Sequence, residues 1–95
     1  MKYNSEKAVV YIFKCGEFYK IGWATDYKRR CKELQVGNPF EIERYAYKPF
    51  DSKRKAQKWE GKLHRQHKDK HFRGEWYRFS KEEIEEAFPL IEEDE

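Results

Sequence analysis

Apolar positions along this chain follow two rhythms, and the switches between them mark its elements. Ala8-Val9-Val10-Tyr11-Ile12-Phe13 is an unbroken apolar run rich in β-branched and aromatic side chains. Such a run predicts a strand covered on both faces. Lys14-Cys15-Gly16-Glu17 is short and carries a glycine, as hairpin loops do, and Phe18-Tyr19-Lys20-Ile21-Gly22 predicts the returning strand. The period then lengthens. Thr25 or Asp26 offers an oxygen to cap a helix in which Tyr27, Cys31 and Leu34 recur at i, i+4 and i+7. Gly37-Asn38-Pro39 ends it, with the glycine as C-terminal cap.

Glu41 to Lys48 alternates loosely around Ile42, Tyr45 and Tyr47, a third strand. Asp51 or Ser52 opens a second helix with Ala56, Trp59, Leu63 and His67 at helical spacing. Phe72 to Phe79 is aromatic-rich and predicts extended chain. Ser80-Lys81-Glu82-Glu83 is a capping box, and Ile84, Ala87, Phe88 and Ile91 form the apolar stripe behind it. The order is β-β-α-β-α-(β)-α. This is an α+β chain with a small three-stranded antiparallel sheet flanked by helices. Ninety-five residues make one domain, 1–95, with a short acidic end from about 92.

Composition sharpens this picture in two ways. Aromatic residues are 18% of the chain, which suits a small core that each large ring helps to fill. The net charge of +3 hides an asymmetry: residues 1–80 hold 20 Lys and Arg against 10 Asp and Glu, whereas residues 81–95 hold one Lys against eight acids. A body this basic fits a polyanion partner, because each cation meeting a phosphate releases condensed counterions. Cys15 and Cys31 form neither a disulfide framework nor a metal-binding pair. No apolar run is long enough to span a bilayer, so a cytoplasmic protein is expected.

The ordered pieces of the chain resemble a known family. Val9-Val10-Tyr11, then Lys20-Ile21-Gly22, then Arg30 on the following helix resemble the blocks of the GIY-YIG nucleases. Glu60-Gly61-Lys62-Leu63-His64 and Arg73-Gly74-Glu75-Trp76-Tyr77 resemble a compact phage and bacterial branch with E-x-x-L-H and G-E-W-aromatic segments. The resemblance spans roughly residues 8 to 80. It implies a Mg²⁺- or Mn²⁺-dependent endonuclease that hydrolyses DNA phosphodiester bonds, with Glu60 holding the metal, Arg30 on the phosphate and Tyr11 near the attacking water. Chemically the set is sound: hydrolysis needs a metal-stabilised charge, a nucleophilic water and a cation on the phosphoryl oxygens.

Lys20 stands where the family pattern has its second tyrosine. It can lower the pKa of Tyr11, bind phosphate, or act as a base if desolvated. It can also mark a relative that binds nucleic acid without cutting it, the alternative to the endonuclease reading. His64 follows Glu60 by one helical turn and can face the metal water or a phosphate. His64, His67 and His71 step along one side of the helix, but no cysteine or acid completes a familiar zinc set. Lys28, Arg29, Lys53, Arg54, Lys58, Lys62 and Arg65 are the expected backbone contacts of DNA or RNA, and Trp23 a stacking surface. No reading head for sequence is present, so specificity is weak or shape-based unless a protein partner supplies targeting. A third reading is a phage regulatory protein that binds a protein or nucleotide partner.

Overall fold

The unbroken apolar run becomes strand β1 (Ala8–Cys15), and the chain returns as β2 (Phe18–Ala24) in an antiparallel hairpin. The structure is a computed structural model that describes residues 7–87 and 92–93. Strand β3 (Glu43–Phe50) pairs antiparallel with the other edge of β1, with a bulge between Ile12 and Phe13. These three strands are the expected sheet. It does not stop there.

The sheet has six strands rather than three, in the order β4-β5-β2-β1-β3-β6. Phe72 to Phe79 is not one extended segment. Gly74 adopts φ 57°, a left-handed conformation that side chains with a Cβ rarely take. There the chain reverses, making a short hairpin of β4 (His71–Arg73) and β5 (Trp76–Arg78). Strand β5 adds to β2 opposite Phe18–Lys20. The two-residue β6 (Glu92–Glu93) pairs with β3 at Ala46 and Tyr47, so part of the acidic end joins the sheet.

Among the described residues three α-helices cover the two faces, each opened by a cap. Asp26 accepts from Arg29 N at 3.1 Å to start α1 (Tyr27–Val36), and Ser52 accepts from Lys55 N at 3.1 Å to start α2 (Lys53–Gln66). The capping box before α3 (Lys81–Ala87) forms in full. Glu83 N donates to Ser80 Oγ at 3.1 Å, and Ser80 N donates to Glu83 Oε1 at 2.8 Å. Of the α3 stripe, Ile84 is wholly buried, while Phe88 and Ile91 lie outside the described residues. Gly37 caps α1 at φ −97°, without the left-handed turn that glycine permits.

Alternation along β1 divides the core. Val10 and Ile12 point with Ile21, Ala56, Leu63 and Ile84 into one cluster, so α2 and α3 pack on that face. Tyr11 and Phe13 point the other way and meet Cys31 of α1 and Ile42. Helices α1 and α2 therefore lie on opposite faces of the sheet. Among the described residues no helix is long and apolar enough to cross a membrane.

The hairpin is tightest where Tyr11 sits opposite Gly22 in the β1–β2 register, with its ring lying across the glycine. A methyl built on Gly22 would come 2.4 Å from Tyr11 Oη and 2.6 Å from Cζ. Gly22→Ala should lower the unfolding free energy by about 1–3 kcal/mol in urea melts, as overpacking of a tight core does. The loss should shrink when Tyr11→Ala is added. An unchanged midpoint for the single variant would show that the ring has room to move.

Candidate functional site at the open edge of strand β2

Strand β5 covers β2 only as far as Lys20 opposite Trp76. Beyond it, among the described residues, no strand lies on that side of β2. Side chains from both faces of the sheet can meet around this open edge. Glu75 pins the corner. Its carbonyl accepts from Ile21 N at 3.1 Å, and its carboxylate accepts from Lys20 Nζ at 2.9 Å.

Lys20 is 8% exposed, the single buried charged residue among those described. A buried ammonium needs a partner, and Glu75 supplies it, with the Trp76 ring 5.7 Å away as a second favourable surface. Glu60 reaches the same place from α2 with its side chain 15% exposed. Donor atoms of Glu60, His64 and Glu75 all lie within 4.8 Å of one another. Burial pushes the Glu60 carboxyl up to about 7, with the charge of Glu75 and a hydrogen bond shared with it adding to the rise; Lys20 works against it.

His64 is fastened at both ring nitrogens. Nε2 lies 3.1 Å from the carbonyl of Ile21, so it carries the proton and donates. Nδ1 is then the acceptor for the Tyr77 hydroxyl. Burial lowers the pKa of His64, in keeping with a neutral ring. His64 thus ties α2 to the edge of β2 and has no ring nitrogen to spare for a metal in this arrangement. His67 packs edge-on against Phe79, while His71 bonds the Gly74 carbonyl at 2.8 Å and packs, like His64, on Tyr77; among the described residues the three histidines form no metal-ligand group.

Tyr11 and Arg30 approach from the opposite face. Tyr11 is 2% exposed, and its phenol lies beside the Arg30 side chain. Burial raises its pKa, Arg30 opposes this, and the charges of Glu75 and Glu60 add to the rise. The cation beside the phenol is therefore Arg30, while Lys20 pairs with Glu75. Arg30 keeps its side chain 48% exposed and lies 3.5 Å from Glu33. Arg29 points outward, 75% exposed, and pairs with Glu33 at 3.3 Å. Between the two neighbouring arginines, it is Arg30 that turns inward.

The structure brings together Tyr11, Lys20, Arg30, Glu60 and His64, and adds Glu75, to which the sequence pattern assigns no role. A single acid between Gly74 and an aromatic pair is the one signal the chain offers for it. The basic residues expected to contact a nucleic-acid backbone do not share one face of the sheet. Lys28 and Arg29 lie on α1, whereas Lys53, Arg54, Lys58, Lys62 and Arg65 lie on α2 across the sheet, all exposed. Trp23 packs half-buried against the α2-side core.

All six residues of the site fall inside residues 8–92, the span matched by the family model of the T5orf172 domain. The chain belongs to the T5orf172 domain family. No curated protein and no solved structure matches it. In this T5orf172 domain the matched span takes in the hairpin, α1, α2 and the Glu75 turn, so fold and site are one unit.

The raised Glu60 pKa makes stability depend on pH. The folded chain keeps a proton that the unfolded chain releases above its ordinary value of 4.5. Stabilisation by the neutral carboxyl is complete at low pH and lost as pH rises through about 7. Between about pH 5 and about pH 8, the Tm of the wild type should fall relative to that of Glu60→Gln. Parallel profiles would contradict the raised value.

Proposed function

We propose that this T5orf172 domain is a divalent-metal-dependent endonuclease of the GIY-YIG type, acting on DNA phosphodiester bonds with weak or shape-based specificity. The observation that carries the reading is the Glu60–Glu75 pair, gathered beside Lys20 with Arg30 and Tyr11 across the sheet edge. Membership of this phage-associated family is compatible with a nuclease-like or DNA-binding module.

The donor set fits Mg²⁺ or Mn²⁺. Two carboxylates crowded against each other are hard oxygen ligands whose mutual repulsion a dication would relieve. Such an ion, when bound, supplies charge on the phosphoryl oxygens and a more acidic water. Glu60 and Glu75 would hold it, and Glu60 must lose its proton to do so.

The other side chains divide the remaining tasks. Arg30, half-exposed and beside Tyr11, presents its N–H groups to the phosphate in a fork that lysine lacks. Tyr11 keeps its proton, since burial raises its pKa, so it orients a water through its hydroxyl rather than deprotonating it. Lys20 sets the position and charge of Glu75. His64 is a positioning residue that anchors α2 to β2.

A second reading has one specific observation in its favour. The Lys20 ammonium already neutralises Glu75, and a cation supplied by the protein can stand where a metal would otherwise be needed. A module built this way binds nucleic acid without cutting it.

Supercoiled plasmid and single-stranded DNA, incubated with Mg²⁺ or Mn²⁺, separate the two. The wild type should nick or cut, and chelation should stop it. Glu60→Gln and Arg30→Ala should each lose about 100-fold or more in rate, the scale of removing one group that stabilises transition-state charge. Cleavage that survives Glu60→Gln would sink the mechanism, and binding without cleavage by the wild type would establish the second reading.

A further inference from the structure

Helix α2 borders a second feature that the cleavage chemistry does not use. Phe50, Lys55, Lys58, Trp59, Lys62 and Arg65 line a groove with a cavity volume of about 330 Å³. Its floor is aromatic. The Phe50 and Trp59 rings lie 5.8 Å apart at 48°, and Lys48 Nζ sits 5.9 and 6.0 Å from their centroids. Its rim is cationic: four of the six lining residues are Lys or Arg, and none is acidic. Lys55 pairs with Asp51 at 3.2 Å, but both partners are largely exposed, so solvent weakens that hold.

We propose that this groove is a subsite for one unpaired base of single-stranded DNA, stacked on Trp59 with its flanking phosphates on Lys58, Lys62 and Arg65. Charge complementarity selects a polyanion, and the aromatic floor separates a nucleotide from a merely acidic peptide. Any base can stack on such a floor, because every base has a π face. A duplex cannot use it without unstacking a base at a cost. Trp59 and Glu60 are consecutive on α2, so the groove and the site share one rigid element. The inference rests on the nuclease reading for the identity of the ligand and deepens it by naming the strand form.

Binding is measured without cleavage, by fluorescence anisotropy in the presence of a chelator. The probes are a labelled single strand of about a dozen nucleotides and the blunt duplex of the same sequence. The single strand should bind more tightly. Trp59→Leu should weaken it about tenfold, within the range of one lost stack, and leave duplex affinity unchanged. Moving one abasic position along the strand should reveal a site of loss in the wild type that disappears in Trp59→Leu. Lys58→Glu with Lys62→Glu, both exposed and outside the core, should abolish the preference for single strands even if Trp59→Leu fails to fold. Equal affinity for the two forms, an abasic profile that Trp59→Leu does not change, or a polyglutamate peptide that competes as well as DNA would each overturn the proposal. Failure of the wild type to cut plasmid would leave it standing, provided the binding pattern holds.

Discussion

Glu75 is bonded to strand β2 twice, through its carbonyl to Ile21 N and through its carboxylate to Lys20 Nζ. These contacts decide where β5 stops and where β2 becomes open. They also provide the partner that a buried ammonium requires, without which Lys20 would be costly in this position. Because the edge is open just there, Glu60 and His64 from one face can approach Tyr11 and Arg30 from the other. A longer β5 would continue along β2 and close that passage.

The site stores an electrostatic tension that the rest of the fold absorbs. Donor atoms of Glu60 and Glu75 lie within 4.8 Å of each other, and burial raises the Glu60 carboxyl to about 7. Tyr11 is buried beside those acids and kept in place by Arg30 and by the missing side chain at Gly22. None of these features favours stability alone. Perturbed titratable groups gathered at one sheet edge are the physical basis of the function proposed above.

Local features are readable from the chain because their causes are local. Asp26, Ser52 and the Ser80–Glu83 box cap the three helices through contacts three residues apart, and the apolar run of β1 marks a strand packed on both faces. The hairpin at Gly74 is not legible, since an aromatic run says nothing about reversal and the turn depends on one backbone angle. Glu75 escapes notice for a related reason. Its partner Lys20 is 55 residues away, and no periodicity encodes that meeting. The basic residues suggest one groove because they are many and closely spaced in sequence, but alternation along β1 sends α1 and α2 to opposite faces. Helical spacing places Trp59 in the apolar stripe of α2. It does pack on the core, and the groove that it lines is evident only once Phe50 of β3 is beside it.

The central claim is that Glu60 and Glu75 form the cation-binding heart of this edge. Anomalous diffraction from crystals soaked in Mn²⁺ at about pH 8, where Glu60 is ionised, tests it most directly. A single strong anomalous peak beside the Glu60 and Glu75 side chains, absent in Glu60→Gln crystals, is the predicted result. A peak elsewhere, or none between these side chains while Lys20 still holds Glu75, would contradict the account.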